Sequence, residues 1–265
     1  MGCVSRLVVL ETVADIQAYL LSHDDYFIIG KGSNVVLSDT SKIKDFIKIS
    51  SDVFPISCSG PVLEAGAGIT VNELMKACQV QGLSGLEFMA GVPASVGGMI
   101  AMNFGCWGQE ISQKLHSILV VDSRGDLFEM SPDMCQFSYR DSLFQHQDFL
   151  ILKATFLLEE STTESVKKMA TENIKKRVSS QPLRGLTFGS IFKNSEGEYA
   201  AKILEEVGLK GVQKGNVGLS DQHANFMINY GDASFDEVAN FIEEIQVEVL
   251  EKKGIKLETE VKLIR

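Results

Sequence analysis

Residues 85–108 read GLEFMAGVPASVGGMIAMNFGCWG, an apolar run punctuated by small residues and carrying almost no charge. Phe88, Met89, Val92, Val96, Met99, Ile100 and Met102 are too apolar to be left in water, so the stretch is not a solvated linker. It is also longer than an ordinary connection, and a long loop inside a compact domain is usually functional. Small residues let the main chain approach a large flat or phosphorylated ligand closely. The stretch predicts a segment that embraces a cofactor.

Upstream, Val62–Ala65 reads as a strand and Gly66-Ala67-Gly68 as a tight turn. Thr70 and Glu73 have capping-box spacing for a helix that buries Val71, Leu74 and Cys78 and stops at Gly82. As a dinucleotide fingerprint the glycine pair is weak, because the third glycine and the downstream acid are missing. Downstream, Ile118–Asp122 and Leu127–Met130 pair as a hairpin across Ser123-Arg124-Gly125. Leu150–Leu158 closes this middle segment, 51–160.

The first segment, 1–50, reads as the strand Val4–Leu10, a helix capped by Thr12, and the strand Tyr26–Gly30. That strand runs into Gly30-Lys31-Gly32-Ser33-Asn34. The turn fits equally a nest of N–H groups that holds a phosphate and a plain glycine turn between strands. The third segment, 161–265, starts at a charged helix, Ser165–Val178, broken at Gln181-Pro182. Phe188–Lys193, Val212–Leu219, Asn225–Asn229 and Ile255–Ile264 read as strands and Tyr199–Val207 as a helix. Ser234 and Glu237 cap a helix with a buried stripe of Phe235, Val238, Ile242, Ile245 and Val249, ended by Gly254. The class is α+β or mixed α/β.

Composition narrows the function. With 35 acidic and 25 basic residues the net charge is −10. That balance argues against a dedicated nucleic-acid binder. The five cysteines are odd in number and form no CxxC, and the four histidines are scattered. No zinc site, other metal site or disulfide framework is expected. No apolar run approaches the roughly 18 residues of a membrane span, and no secretory leader precedes the first strand. The start MGCVSR has Arg6 where a myristoylation signal wants Ser or Thr. A cytoplasmic protein without membrane attachment is expected.

Three polar residues stand among apolar neighbours. Arg140, in Tyr139-Arg140-Asp141-Ser142, suits a carboxylate or enolate, although an ordinary ion pair with Asp141 is the commoner outcome. Ser190 lies in FGSIFKN (188–194), where a hydroxyl bonded to backbone is more usual than a catalyst. No GxSxG elbow or His/Asp partner supports a hydrolase. Glu260, beside Glu258 and Lys262, reads alone as solvated.

The segments GKGSN (30–34), GLSGLEFMAGVPASVGG (82–98), MNFGCWGQEI (102–111), FSYRDSLF (137–144), FGSIFKN (188–194), GLKG (208–211), HANFMIN (223–229) and LETEV (257–261) together carry a resemblance. In this order, over nearly the whole chain, they resemble the UDP-N-acetylenolpyruvoylglucosamine reductase (UDP-N-acetylmuramate dehydrogenase) family, flavoenzymes of peptidoglycan precursor synthesis. The resemblance implies a two-lobed FAD-binding domain of the vanillyl-alcohol-oxidase (PCMH) type, lobes 1–50 and 51–160. A C-terminal α+β domain for the UDP-sugar, 161–265, would follow, with its last strand returning toward the flavin.

It implies cofactor contacts from Gly30, Lys31, Gly32, Ser33 and Asn34, and from Val92, Pro93, Ala94, Ser95, Val96, Gly97, Gly98 and Asn103, with a looser match at Arg177. Tyr139, Lys193, Asn194 and His223 would face the UDP-sugar. The implied reaction takes hydride from NADPH through FAD to the enolpyruvyl group of UDP-N-acetylglucosamine enolpyruvate. Arg140 would stabilise the enolate, Ser190 deliver the proton, and Glu260 hold the polar network or support the enolate in its protonated form. Such an enzyme, expected to act as a monomer, would serve cell-wall biogenesis and through it cell shape and division.

The chain departs from the family in lacking an Asn-Thr turn and glycine pair before the first strand. It also has no long insertion after Leu209-Lys210-Gly211, so it resembles the shorter family type, without a substrate-loop tyrosine. An FAD oxidase of the same superfamily and a non-catalytic flavin or nucleotide-sugar binder are the alternatives.

Overall fold

The computed structural model describes residues 6–183, 185–195 and 197–265. Val4 and Ser5 of the expected first strand, like Cys3, lie outside the described residues. The rest divide into two compact units, one of Arg6–Lys31 and Asp45–Lys175, the other including Gly32–Lys44 and Lys176–Arg265.

The first unit holds two larger sheets beside two short strand pairs. Leu7–Leu10, Asp45–Ile49 and Tyr26–Ile28 form a parallel sheet with Asp45–Ile49 in the centre. Parallel neighbours need a crossover, and the helix Val13–Ser22 supplies one, with the Thr12 side chain accepting from the Asp15 N–H. The second sheet is antiparallel, in the order Leu127–Met130, Leu115–Asp122, Phe149–Leu157, Val62–Gly66, Ser57–Ser59. The expected hairpin is present, with Ile118 opposite Met130 and Val121 opposite Leu127. The helix Val71–Gln81 has both capping-box bonds, from Thr70 and Glu73, and ends on Gly82 in the left-handed conformation. Ile16, Ile47, Leu63, Leu74, Ile100 and Phe156 belong to its continuous core. The stretch 85–108 is not without regular structure. It contains a helical turn, Glu87–Met89, and a six-residue helix, Val96–Ala101.

The second unit packs on the helix Phe235–Lys253. Its stripe of Phe235, Val238, Ile242, Ile245 and Val249 is buried as the spacing requires, and Phe241 and Ala239 widen it. Each such large side chain contributes about 1.5–3 kcal/mol by leaving water. The expected strands here are shorter than the pattern suggested. Val212–Leu219 is interrupted at Gly215, in a left-handed conformation, and becomes the pair Gln213–Lys214 and Val217–Leu219. Only Met227–Asn229 of the next strand and Lys262–Ile264 of the last one are laddered. Phe188–Lys193 pairs through single bridges, Ser190 with Phe226 and Phe192 with Thr259. Lys262–Ile264 runs parallel to Val35–Leu37.

One charged cluster ties the parallel sheet to its helix. The Arg6 guanidinium and the Tyr19 hydroxyl both donate to the Asp45 carboxylate at the start of the central strand. The Arg6 bond, then that of Tyr19, holds the Asp45 carboxyl down at about 2. Burial, reinforced by Asp45, pushes the Tyr19 phenol up to about 12. Because the folded carboxyl is the stronger acid, its stabilising effect is complete above the ordinary value of 3.8 and disappears as pH falls from there toward about 2. Asp45→Asn should lower the thermal midpoint at neutral pH and flatten the acid limb. Melts of both proteins between about pH 7 and pH 2 check this, and parallel acid limbs would mean that other carboxylates control acid unfolding.

Candidate functional site

Each unit assembles its own set of chemically useful residues. In the first unit a cavity of about 140 Å³ opens at the carboxyl ends of two parallel strands, Tyr26–Ile28 and Asp45–Ile49. Strand ends of this kind are where open α/β sheets commonly take ligands. Ile28, Ile29, Phe144, Phe149 and Ile151 are among its apolar walls, and Gly30, Gly68, Gly97 and Gly98 supply bare backbone. Lys48 also lines it and pairs with no carboxylate among the described residues.

The glycine-rich segment reaches the cavity because it is pinned to the turn before the helix Val71–Gln81. Val71 N donates to Ala94 O at 3.0 Å, Val96 N to Ile69 O at 2.9 Å and Gly97 N to Ala67 O at 2.9 Å. Those bonds occupy the N–H groups of Val96 and Gly97. Val92, Ala94, Gly97 and Gly98 are half-buried, Pro93 is exposed, and Ser95 and Val96 are buried. Ser95 stands at the N-cap of Val96–Ala101 yet makes no capping bond. Its hydroxyl lies against Gly30, where an added Cβ would be 2.5 Å from Ser95 Oγ.

Beyond that helix, Asn103 is fully buried, and its Nδ2 donates to Glu110 Oε2 and to Ser138 O, each at 2.9 Å. Ser138 and Asp141 exchange backbone bonds of 3.1 and 3.2 Å, which puts Tyr139 and Arg140 at the tip of a two-residue turn. Arg140 has φ 57°, an unusual conformation for a side chain of its size. Its guanidinium lies over the rings of Tyr139 and Phe104, 5.1 and 5.6 Å from their centroids. The neighbouring Asp141 carboxylate bonds His146 Nε2 at 2.8 Å.

In the second unit the segment 190–193 lies between two others. Ile191 N donates to Asn225 O at 2.9 Å, and Glu260 N donates to Ile191 O at 2.8 Å. Ser190 and Glu260, seventy positions apart in the chain, are thus neighbours across Ile191. The turn residues Gly32, Ser33 and Asn34 belong to this unit, whereas Gly30 and Lys31 belong to the other. Asn34 Nδ2 donates to Glu260 O at 3.1 Å, and Lys262 N donates to Asn34 O at 3.0 Å. Gly189 has φ 88°, and a Cβ added there would meet Ser33 O at 3.8 Å.

Lys193 Nζ bonds Glu258 Oε1 at 2.6 Å, and Asn194 Oδ1 accepts from Ala200 N at 3.0 Å, at the start of the helix Ala200–Glu206. His223 stacks edge-on against Phe226 at 4.7 Å. Its Nδ1 is sealed from solvent without a hydrogen-bond partner among the described residues, and burial lowers the imidazole pKa below its ordinary value. Arg177 is buried, on the helix Thr163–Ser180, whose neighbouring positions are mostly exposed.

Several participants went unnoticed in the sequence. Lys48 is the one half-buried position in the otherwise buried strand Asp45–Ile49, and that break in the pattern was the available signal. Phe144 and Phe149 carry no such signal. Asn225, buried, accepts from Phe192 N at 3.0 Å and donates to Phe192 O at 2.8 Å, standing in for a missing strand neighbour.

Comparison with known proteins matches the chain in two parts. A family model for an FAD binding domain matches residues 4–131. One for the C-terminal domain of UDP-N-acetylenolpyruvoylglucosamine reductase matches residues 181–264. The UDP-N-acetylenolpyruvoylglucosamine reductase of Clostridium botulinum is 35% identical over 242 residues, 90% of this chain and 78% of that protein. That of Halalkalibacterium halodurans is 38% identical over 237 residues, 89% of this chain and 79% of that protein. The crystal structure of UDP-N-acetylenolpyruvylglucosamine reductase from Thermus caldophilus is similar with a TM-score of 0.83 and 27% identity, over 98% of this chain and 92% of that one.

The lining of the first unit's cavity suits part of FAD: apolar walls suit a ring system, bare glycines admit phosphate oxygens, and Lys48 and the Ser95 hydroxyl offer a charge and a donor. Gly30→Ala should displace Ser95 Oγ into that space. An overpacking cost of about 1–3 kcal/mol would weaken FAD binding by roughly 5–150-fold. Titration of FAD into apoprotein, followed by flavin fluorescence, measures the effect, and unchanged affinity would confine Gly30 to a role in the turn.

Proposed function

The chain belongs to the UDP-N-acetylenolpyruvoylglucosamine reductase family, and from that premise we propose how its own residues carry the reaction. The activity is NADPH-dependent reduction of UDP-N-acetylenolpyruvoylglucosamine, using FAD, in peptidoglycan precursor synthesis. FAD, when bound, would supply the hydride relay between NADPH and the terminal carbon of the enolpyruvyl double bond.

As that carbon gains hydride, the electron pair of the double bond moves to the adjacent carbon and spreads into the carboxylate as an enolate. Arg140 faces this charge as a fixed cation, with Phe104 and Tyr139 restricting its guanidinium. Ser190 gives its hydroxyl proton to the carbanion carbon and recovers one from water. Glu260 orients that serine or, protonated, supports the enolate. Lys193, Asn194, His223 and Tyr139 contact the UDP-sugar, and His223, kept neutral by burial, offers a hydrogen bond rather than a charge. Gly30–Asn34, Val92–Gly98, Asn103 and Arg177 would hold FAD.

The observation that carries this assignment is the bond from Glu260 N to Ile191 O, which sets Glu260 beside the segment bearing Ser190 and next to Asn34. Residues 1–50 and 51–160 are proposed as the FAD-binding lobes and 161–265 as the UDP-sugar domain, a division supported by the family matches at 4–131 and 181–264. No helix of the described residues is long and apolar enough to cross a membrane. The proposal has the chain acting as a cytoplasmic monomer.

Ser190→Ala should leave FAD binding and flavin reduction by NADPH nearly intact, since neither needs a proton at the substrate carbon. Reoxidation by the enolpyruvyl sugar nucleotide should slow by about 10²–10⁴-fold, the usual loss for a general acid. Ser190→Cys should retain part of the rate. Stopped-flow traces of the two half-reactions separate these outcomes. Equal slowing of both would make the serine structural, and oxygen uptake that keeps pace with NADPH loss, whether or not substrate is present, would favour an oxidase.

A further inference from the structure

The residues that follow the helix Val96–Ala101 hold the turn that carries Arg140 from three directions. The Ser142 hydroxyl, buried, donates to Ala101 O at 2.7 Å, a carbonyl at the helix end that has no bond within the helix. Asn103 Nδ2 donates to Ser138 O at 2.9 Å, on the opposite side of the same turn. Phe104, the next residue, lies beneath the guanidinium. Asn103 is itself fixed, through its bond to Glu110 Oε2 and through Ser112 N, which donates to its Oδ1 at 3.4 Å. Its φ of 40° is one that asparagine tolerates better than most residues. Gln145 Nε2 completes the support by donating to Arg140 O at 3.1 Å.

We propose that Asn103 and Ser142 are positioning residues for Arg140, locking its turn onto the end of the helix Val96–Ala101. Both amide hydrogens of Asn103 are committed to protein acceptors, so its side chain acts through Ser138. The helix also carries Gly97, Gly98 and Ala101 to the wall of the cavity. One short rigid element therefore sets both a wall of the cofactor cavity and the place of the cation. A guanidinium that must meet a developing enolate gains from this. Its own turn is exposed at Ser138 and Tyr139 and would otherwise be free to shift. A displacement of about 1 Å at such a group can cost about 10²-fold in rate.

This inference rests on Arg140 being the enolate's cation, and the experiment separates the two claims. Ser142→Ala, Asn103→Asp and Arg140→Lys are prepared as FAD holoenzymes, singly and with Arg140→Lys added to each of the first two. Asn103→Asp keeps the shape and the tolerated φ but removes both donors. Ser142→Ala is the milder change and carries the test alone if Asn103→Asp fails to fold. Ser142→Ala should slow flavin reoxidation by the enolpyruvyl sugar nucleotide by about 10–100-fold. Reduction by NADPH should stay within about threefold, as should the affinity of apoprotein for FAD measured by calorimetry. With Arg140→Lys already present, Ser142→Ala should cost little more, because the group it positions has gone.

Equal slowing of both half-reactions, no slowing of either, or a loss that multiplies with that of Arg140→Lys would overturn the positioning role. If Arg140→Lys alone leaves reoxidation unchanged, it is the assignment of Arg140 that fails.

Discussion

The first unit depends on a close approach of two backbones. The segment leading into Val96–Ala101 lies on the turn 67–71, held by the bonds to Ala94 O, Ile69 O and Ala67 O. A Cβ on Gly97 would sit 2.9 Å from Ala67 Cβ and 3.3 Å from Ala67 O, closer than unstrained atoms come. Only glycine lets the helix start there. Everything downstream inherits that placement: the Ser95 hydroxyl over Gly30, the cavity wall, and the carbonyl of Ala101 that receives Ser142. An apolar segment is needed on the other face of the same helix, where Val96, Met99 and Ile100 enter the core. The mixture of glycine and large apolar residues that marks 85–108 is therefore one requirement seen from two sides, contact with backbone on one and burial on the other.

The second unit solves a different problem. The segment bearing Ser190 lies beside Glu260, held by the bond from Glu260 N to Ile191 O, but is too irregular to join a full ladder. Asn225 replaces part of a strand by bonding both the N–H and the carbonyl of Phe192. A buried amide satisfied on both sides is stable, whereas one left unpaired would cost about 1–3 kcal/mol. The arrangement leaves the Ser190 side chain on a segment held by single bridges, with Gly189 in a conformation closed to other residues.

Local rules were legible wherever a short-range interaction decides the structure. Thr70 with Glu73 and Ser234 with Glu237 specify their helix starts, and both boxes form in full. Gly82 and Gly254 end those helices in left-handed conformation. The helix Val96–Ala101 escaped the same reading because two of its residues are glycine, each costing about 1 kcal/mol of helix propensity, and tertiary bonds compensate for them. Phe188–Lys193 has the composition of a strand but not its ladder, since a side chain takes the place of a neighbouring backbone. Arg140, Ser190 and Glu260 were named through the resemblance. Taken singly, each had a blander explanation that pattern could not remove.

What pattern cannot express is how a polar group is held. Asn103 looks in the sequence like one more small polar residue near a cofactor loop. In the fold it is a fully buried amide with three bonds, tying 101–104 to 138–142. Lys48 carries no mark of a cavity residue in the sequence, yet its strand is the central one and it lines the cavity. Both cases follow from sheet order and chain crossing, which a linear reading does not contain. A charge acquires a specific effect only when its neighbours prevent it from relaxing, and those neighbours are contributed by segments far away in the chain. Arg140 would be an ordinary arginine in an ordinary turn without the rings of Phe104 and Tyr139 and the two buried hydrogen bonds behind it.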